Sequence, residues 1–253
     1  MTTDSPIQEF VPDLGEISPR RPLAIVTGGS RGLGFEVAKG LIQRNYRVVI
    51  VGKDAIRTAE SAASLGSEHR IVDVADSTLF RDVLRKISDT FGTPEVLVLS
   101  HGVMSEKISK TLRTTDAEWR RVMSVNTDAV FAALNEVVPQ MAELRRGRVV
   151  VFSACLGRMS GPGNAGGLAP YRVSKAAVNA LVRNLAHETG LGARGLLVDA
   201  ICPGHCRTDM GGADAPKSAE EGADTAIWLA TRTFNPTTDV TGVLWEDREI
   251  VPW

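Results

Sequence analysis

The stretch Leu23-Ala24-Ile25-Val26-Thr27-Gly28-Gly29-Ser30-Arg31-Gly32-Leu33-Gly34-Phe35 decides the fold. A short β-branched apolar run enters a glycine-rich turn, and an amphipathic helical pattern follows at once. Such a turn lets backbone N–H groups approach a pyrophosphate, and the helix N-terminus adds a dipole that favours negative charge. The same glycines would also serve a merely tight turn. Their position after the first strand of a strand–helix–strand pattern favours the dinucleotide site.

Outward from this turn the alternation continues. Leu23 to Val26, Arg47 to Val51, Arg70 to Val74, Val96 to Leu99, Arg148 to Phe152 and Leu196 to Ile201 read as strands, mostly unbroken apolar runs of the kind buried on both faces. Helical periodicity covers Phe35 to Arg44, Thr78 to Phe91, Trp119 to Leu144 and Tyr171 to Thr189. Strand and helix in turn imply right-handed crossovers and a doubly wound parallel sheet, an α/β fold with helices on both faces. The expected organisation is one domain over residues 22–253, preceded by an arm over residues 1–21 that is polar and broken by Pro6, Pro12 and Pro19.

Composition narrows the function. The 253 residues carry a net charge of -1, with 43% hydrophobic and 23% charged side chains. That balance supplies no basic field for nucleic acid or an anionic membrane surface. No apolar window approaches the length of a membrane span, and no secretory signal opens the chain. Cys155, Cys202 and Cys206 are an odd number without metal-type spacing, so reduced thiols in a cytoplasmic protein are expected.

The end of the second strand selects among dinucleotides. An acid there would hold the adenosine ribose of NAD, whereas a cation would accept the extra phosphate of NADP. Val51 is followed by Gly52 and Lys53, and Arg31 stands within the glycine turn. Two cations therefore point to NADP or NADPH over NAD. Asp54 comes one residue too late for the obvious ribose ligand.

Tyr171 and Lys175 lie four residues apart, on one face of the predicted helix. A phenol ionises near pH 10, and a neighbouring cation favours its phenolate. Such a pair is suited to general acid catalysis. Alone, the spacing equally describes a half-buried aromatic beside a solvated charge.

The glycine turn, Tyr171-Arg172-Val173-Ser174-Lys175 and Cys202-Pro203-Gly204-His205-Cys206-Arg207-Thr208 together resemble the short-chain dehydrogenase/reductase family, from Pro22 to Trp253. The tail from Glu220 through Thr241-Gly242 to Pro252-Trp253 looks most like its carbonyl-reductase-type members. The resemblance implies that Tyr171 protonates a substrate carbonyl oxygen, Lys175 tunes the phenol and holds the nicotinamide ribose, and Asn126 keeps a relay water. It implies cofactor contacts from Gly28, Ser30, Arg31, Gly32, Leu33, Gly34, Lys53, Asp73, Val74, Gly102, Tyr171, Lys175, Pro203, Gly204, Cys206 and Thr208. A homodimer or homotetramer through two long helices is the assembly of many such relatives, and some carbonyl-reductase-like members are monomers.

Two departures from the family pattern stand out. Leu99-Ser100-His101-Gly102 replaces Asn-Asn-Ala-Gly, so the asparagine that braces the central strands is missing. Ser153-Ala154 replaces a pair of serines, so the residue that assists the tyrosine is alanine. Ser153 is the candidate catalytic substitute provided a bulge turns it inward, because successive strand side chains point to opposite faces. Ser160 and a backbone N–H of the glycine-rich loop from Cys155 to Pro170 are the other candidate donors. The expected function is NADPH-dependent reduction of a small-molecule ketone or aldehyde. A non-catalytic NADP-binding sensor or assembly protein is the alternative, as are alcohol oxidation and redox-assisted isomerisation.

Overall fold

Phe152 ends one strand and Ile201 ends its neighbour, and the register between them shows how the fold delivers its chemistry to one edge. The computed structural model describes residues 20–106, 110–161 and 166–253. Most of the predicted arm, residues 1–19, lies outside these, as do residues 162–165 of the glycine-rich loop. Arg20 and Arg21, by contrast, dock on the domain, donating to the Phe91 and Tyr46 carbonyls.

Among the described residues the strands are β1 (Leu23–Thr27), β2 (Arg47–Gly52), β3 (Glu68–Ile71), β4 (Val96–Leu99), β5 (Gly147–Phe152), β6 (Leu196–Ile201), β7 (Leu244–Glu246) and β8 (Glu249–Val251). They form one sheet in the order β3-β2-β1-β4-β5-β6-β7-β8, parallel throughout except for the antiparallel pair β7–β8. The chain winds outward from β1 to β3 and then returns to β4 beside β1. The C-terminal ends of β1 and β4 therefore flank the switch-point crevice where such sheets bind ligands.

Among the described residues seven α-helices cover the sheet: α1 (Gly32–Ile42), α2 (Ala55–Leu65), α3 (Ser77–Phe91), α4 (Asp116–Met123), α5 (Ala129–Glu143), α6 (Ala169–Glu188) and α7 (Ala219–Thr231). Alternate strand residues face opposite layers. Ile25, Val49, Leu97, Val149 and Val198 pack with Phe80 and Leu84 of α3, Val137 of α5 and Val182 of α6. Val26, Ile50, Val98 and Val150 pack on the other face with Val37 and Leu41 of α1 and Leu229 of α7. Each fully buried Leu or Val contributes about 1.5–3 kcal/mol through apolar burial, so the two layers hold the strand ends firmly.

Several features differ from those read in the sequence. The third strand is Glu68–Ile71 rather than Arg70 to Val74, because this is an edge strand with polar, half-exposed residues. The apolar cue marked Val72 and Val74, which pack just beyond the strand. The helix expected from Trp119 to Leu144 begins at Asp116, where Thr115 Oγ1 accepts from Glu118 N at 3.1 Å. It is also divided by a π-helical turn, Ser124–Asp128. Finally, strict alternation ends in the β7–β8 hairpin, whose turn residues Asp247 and Arg248 take left-handed conformations.

Candidate active site

The glycine turn presents bare backbone to the crevice. Gly28 has φ +69° and donates its N–H to Val51 O at 2.8 Å. A Cβ there would lie 2.9 Å from His101 N, so the approach of β1 to β4 requires glycine. A Cβ on Gly34 would lie 2.5 Å from Ser100 Oγ and collide with the Gly28 carbonyl. No side chain caps α1, and its first turn holds no acid, whereas Asp54, Asp76, Thr115 and Ser218 cap α2, α3, α4 and α7. The open N–H groups of α1 and the absence of side chains beneath them fit a pyrophosphate. Thr208 closes the opposite side, its methyl 3.1 Å from where a Gly32 Cβ would sit.

At the adenosine end each predicted cation has an acidic partner. Lys53 Nζ lies 2.6 Å from Asp73 Oδ2, and this bond holds the Asp73 carboxyl below the usual carboxylate range. Arg31 pairs with Asp209, and Arg57 NH1 lies 3.8 Å from the same carboxylate. All these side chains are well exposed, so the pairs hold weakly and an incoming phosphate can exchange for a carboxylate. Arg57 was not anticipated. The available signal was a cation in the first turn of α2, where the helix dipole disfavours one. Asp54 has a structural task instead, accepting from Arg57 N at 3.0 Å as the cap of α2.

Other members of the predicted cofactor set divide by what their side chains touch. The Ser30 carbonyl accepts from Ser61 Oγ at 2.8 Å. Val74 packs on the core, and Leu33 packs beneath α7. Cys206 is turned away from the crevice, its thiol donating to Pro203 O at 3.2 Å and abutting Gly222 of α7. For Val74, Leu33 and Cys206, only the backbone is left to meet a cofactor. Gly204 has Lys217 against it, and Lys217 is itself bound to Asp247.

At the other end of the crevice α6 carries Tyr171 and Lys175, both buried. Lys175 Nζ donates to Phe152 O at 2.7 Å and lies 5.9 Å from the centre of the Tyr171 ring. Burial lowers the Lys175 ammonium from 10.5 to about 8. Burial also raises the Tyr171 phenol above its ordinary value, with further contributions from Cys202 and Cys155. Burial therefore outweighs any lowering of the phenol by Lys175. The geometry keeps the phenol protonated, the state a general acid needs before it acts.

Asn126 sits on the π-helical turn, fully buried. Its carboxamide accepts from Val103 N at 2.8 Å, donates to Val103 O at 2.9 Å and donates to Ser174 Oγ at 3.0 Å. A π-turn inserts an extra residue into the helix, and Asn126 is the buried residue of this one. Gly102 lies between these groups: a Cβ there would be 3.5 Å from Asn126 Oδ1 and 3.6 Å from Lys175 Nζ. The structure thus brings Gly102, Asn126 and Lys175 together.

Ser153 is engaged with α6. Its hydroxyl donates to Asn179 Oδ1 at 2.5 Å and is buried against α6. A hydroxyl has one proton, so none is left for a substrate oxygen. Ser160 is also engaged, donating to Trp253 O at 3.1 Å. The missing strand brace, by contrast, is replaced locally. Ser100 Oγ donates to Thr27 O at 2.5 Å, and Thr27 Oγ1 meets His101 Nδ1 at 2.6 Å, tying β4 to β1. His101 is buried against the edge of Phe80, and burial lowers its imidazole from 6.5 to about 3, so it is neutral.

A switch-point crevice with an anion-ready turn at one end and a buried tyrosine and lysine at the other defines an oxidoreductase of the nicotinamide-dinucleotide type. Residues 22–219 match the family model described as short chain dehydrogenase, and the chain belongs to that family. It is 31% identical over 193 residues to a 3-oxoacyl-(acyl-carrier-protein) reductase of Staphylococcus epidermidis, covering 74% of this chain and 76% of the relative. The corresponding enzyme of Escherichia coli is 31% identical over 195 residues, covering 74% and 75%. Among solved structures, a Serratia marcescens short-chain dehydrogenase/reductase variant superposes with a TM-score of 0.76 at 24% identity, over 89% of this chain and 96% of that one. A blue fluorescent protein from a metagenomic library, in complex with NADPH, has a TM-score of 0.75 at 24% identity, over 88% and 94%. Both likenesses establish the fold. Among the described residues no helix is long and apolar enough to cross a membrane, and no cluster of candidate metal ligands occurs.

Proposed function

We propose that this oxidoreductase uses NADPH to reduce a ketone or aldehyde carbonyl of a small molecule, with Tyr171 as the general acid. The observation that carries the reading is the buried Tyr171, kept protonated on the same helix face as Lys175, with Asn126 and Lys175 converging on Gly102. The reductase names of the curated relatives support reduction of a keto group as the chemistry.

Bound NADPH would supply the hydride, held by the glycine turn and the segment from Pro203 to Thr208. Tyr171 gives its proton to the carbonyl oxygen as negative charge develops there. Lys175, anchored by the Phe152 carbonyl, then favours the resulting phenolate by its charge and holds the nicotinamide ribose. Asn126 fixes the Val103 backbone and faces the same space beside Gly102, where a relay water would sit. With Ala154 in place of a serine and Ser153 committed to Asn179, Tyr171 bears more of the oxyanion stabilisation, at a cost on the order of 10² to 10³ in rate. Arg31, Arg57 and Lys53 supply the cations for a 2'-phosphate.

The test is NADPH oxidation over a panel of ketones, aldehydes and quinones. Turnover is expected with at least one carbonyl class, and Tyr171→Phe lowers it by about 10²–10⁴-fold while cofactor affinity stays near normal. Full activity in that variant would remove Tyr171 from the chemistry. Lys53→Ala weakens NADPH binding far more than NADH binding; equal effects would exclude the phosphate contact. Ala154 favours one second reading, a non-catalytic NADP-binding protein, which tight NADPH binding without turnover across the panel would select.

A further inference from the structure

Beyond the tyrosine and lysine, the pocket end of the sheet holds two cysteines that the proposed reaction does not use. Cys155 opens the short 3-10 turn after β5, and Cys202 directly follows β6. The strands are paired in register up to Phe152 and Ile201, and Ser153 N donates to Ile201 O at 2.7 Å. This pairing brings the two turns together, and the Cys155 and Cys202 thiols act on each other's ionisation. Cys202 is buried, while Cys155 is partly exposed. Cys202 Sγ donates to Glu246 Oε1 at 3.6 Å, and Arg158 NH1 lies 3.8 Å from Glu246 Oε2. Both thiols also act electrostatically on Tyr171.

We propose that Cys155 and Cys202 form a redox-active dithiol on the wall of the catalytic pocket, which a hydroperoxide oxidises to an intramolecular disulfide that slows turnover. The more accessible Cys155 sulfur attacks a peroxide oxygen. The O–O bond breaks, water or an alcohol leaves, and Cys155 becomes a sulfenic acid. The Cys202 sulfur then attacks that sulfur, the S–O bond breaks, and hydroxide leaves with the Cys202 proton as a second water. Both thiols lose one hydrogen, and the peroxide is reduced by two electrons. Glu246 stands where it accepts the Cys202 proton. The neighbouring Cys202 thiol lowers the pKa of Cys155, which favours the attacking thiolate, whereas that of Cys202 is raised.

The consequence for turnover follows from what the Cys155 turn touches. The sulfurs must close to a covalent bond of about 2 Å, so the turn is drawn toward β6. Gly157, in that turn, packs on α6 so closely that a Cβ would lie 2.6 Å from the Lys175 Cβ. Phe152 O, three residues before Cys155, holds the Lys175 ammonium. Displacing this turn shifts Lys175, and misplacement by about 1 Å costs on the order of 10²-fold in rate.

Treatment of the purified full chain with hydrogen peroxide should remove two hydrogen atoms from the intact mass and yield a peptide linking Cys155 to Cys202. Dithiothreitol should reverse both changes. NADPH turnover should fall by at least about tenfold and recover with the reductant, while whatever turnover Cys155→Ser and Cys202→Ser each retain should be unchanged by the treatment. Oxidation that leaves the two cysteines unlinked, links either to Cys206, or forms the disulfide with turnover unchanged would overturn the proposal. The mass and peptide measurements stand whichever substrate the enzyme takes, so failure of the carbonyl assignment is separable from failure of the dithiol.

Discussion

Lys175 shows how one side chain can serve catalysis at the expense of the fold. Its ionisation, lowered by burial from 10.5 to about 8, means that the unfolded chain binds more protons than the folded one between those values. Stability therefore rises with pH across that window, and at neutral pH the buried ammonium is destabilising. Lys175→Met, which keeps the stem and removes the charge, should raise stability in urea at pH 7 by about 1–2 kcal/mol and abolish turnover. A destabilised variant would mean that the bond to Phe152 O outweighs desolvation. The same titration predicts that kcat/KM falls above pH about 8, as Lys175 loses the charge that favours the phenolate. A profile flat to pH 10 would remove that role. At this scale Tyr171 and Lys175 were legible from their spacing. The state of the phenol was not, because burial and the thiols of two other turns control it. The engagement of Ser153 was not legible for a related reason: its partner, Asn179, is 26 residues away.

Elements were legible where periodicity was local. The strand before the glycine turn and the helix after it declare themselves in thirteen consecutive residues. The π-helical turn Ser124–Asp128 does not, because the helical pattern runs through it and only packing against Val103 and Ser174 reveals the inserted residue. This turn makes a prediction for Asn126. Asn126→Leu preserves approximate volume but leaves the Val103 N–H and C=O without their partners in a buried site. Each orphaned group costs about 1–3 kcal/mol, so the variant should lose about 2–6 kcal/mol in urea unfolding together with turnover. Loss of turnover at unchanged stability would show that Asn126 acts on the reaction alone and that the Val103 bonds contribute little.

Across the whole molecule, the pocket wall depends on a buried charge that no local pattern announces. Asp199 on β6 is 2% exposed and accepts from Arg232 NH2 at 2.9 Å, Thr241 Oγ1 at 3.2 Å, Gly242 N at 3.0 Å and Trp245 Nε1 at 3.1 Å. These bonds tie the end of α7, the segment before β7 and β7 itself to the middle of the sheet. The Arg232 guanidinium also lies 5.1 Å from the Trp228 ring centre and 5.2 Å from that of Trp245. Sequence alternation placed β6 in the sheet, but Asp199 interrupts an apolar run without naming a partner 33 residues downstream. Because β7 carries Glu246, which contacts Cys202 and faces Arg158, loosening this hub disturbs the pocket as well as the fold. Arg232→Leu strands the Asp199 carboxylate in the core and should cost about 3–5 kcal/mol. Replacing both residues, Asp199→Leu with Arg232→Leu, should cost less than the two single losses added, because no unpaired charge then remains buried. Urea unfolding of the two singles and the double closes this cycle; additive losses would mean that Asp199 and Arg232 stabilise the sheet independently rather than as a pair.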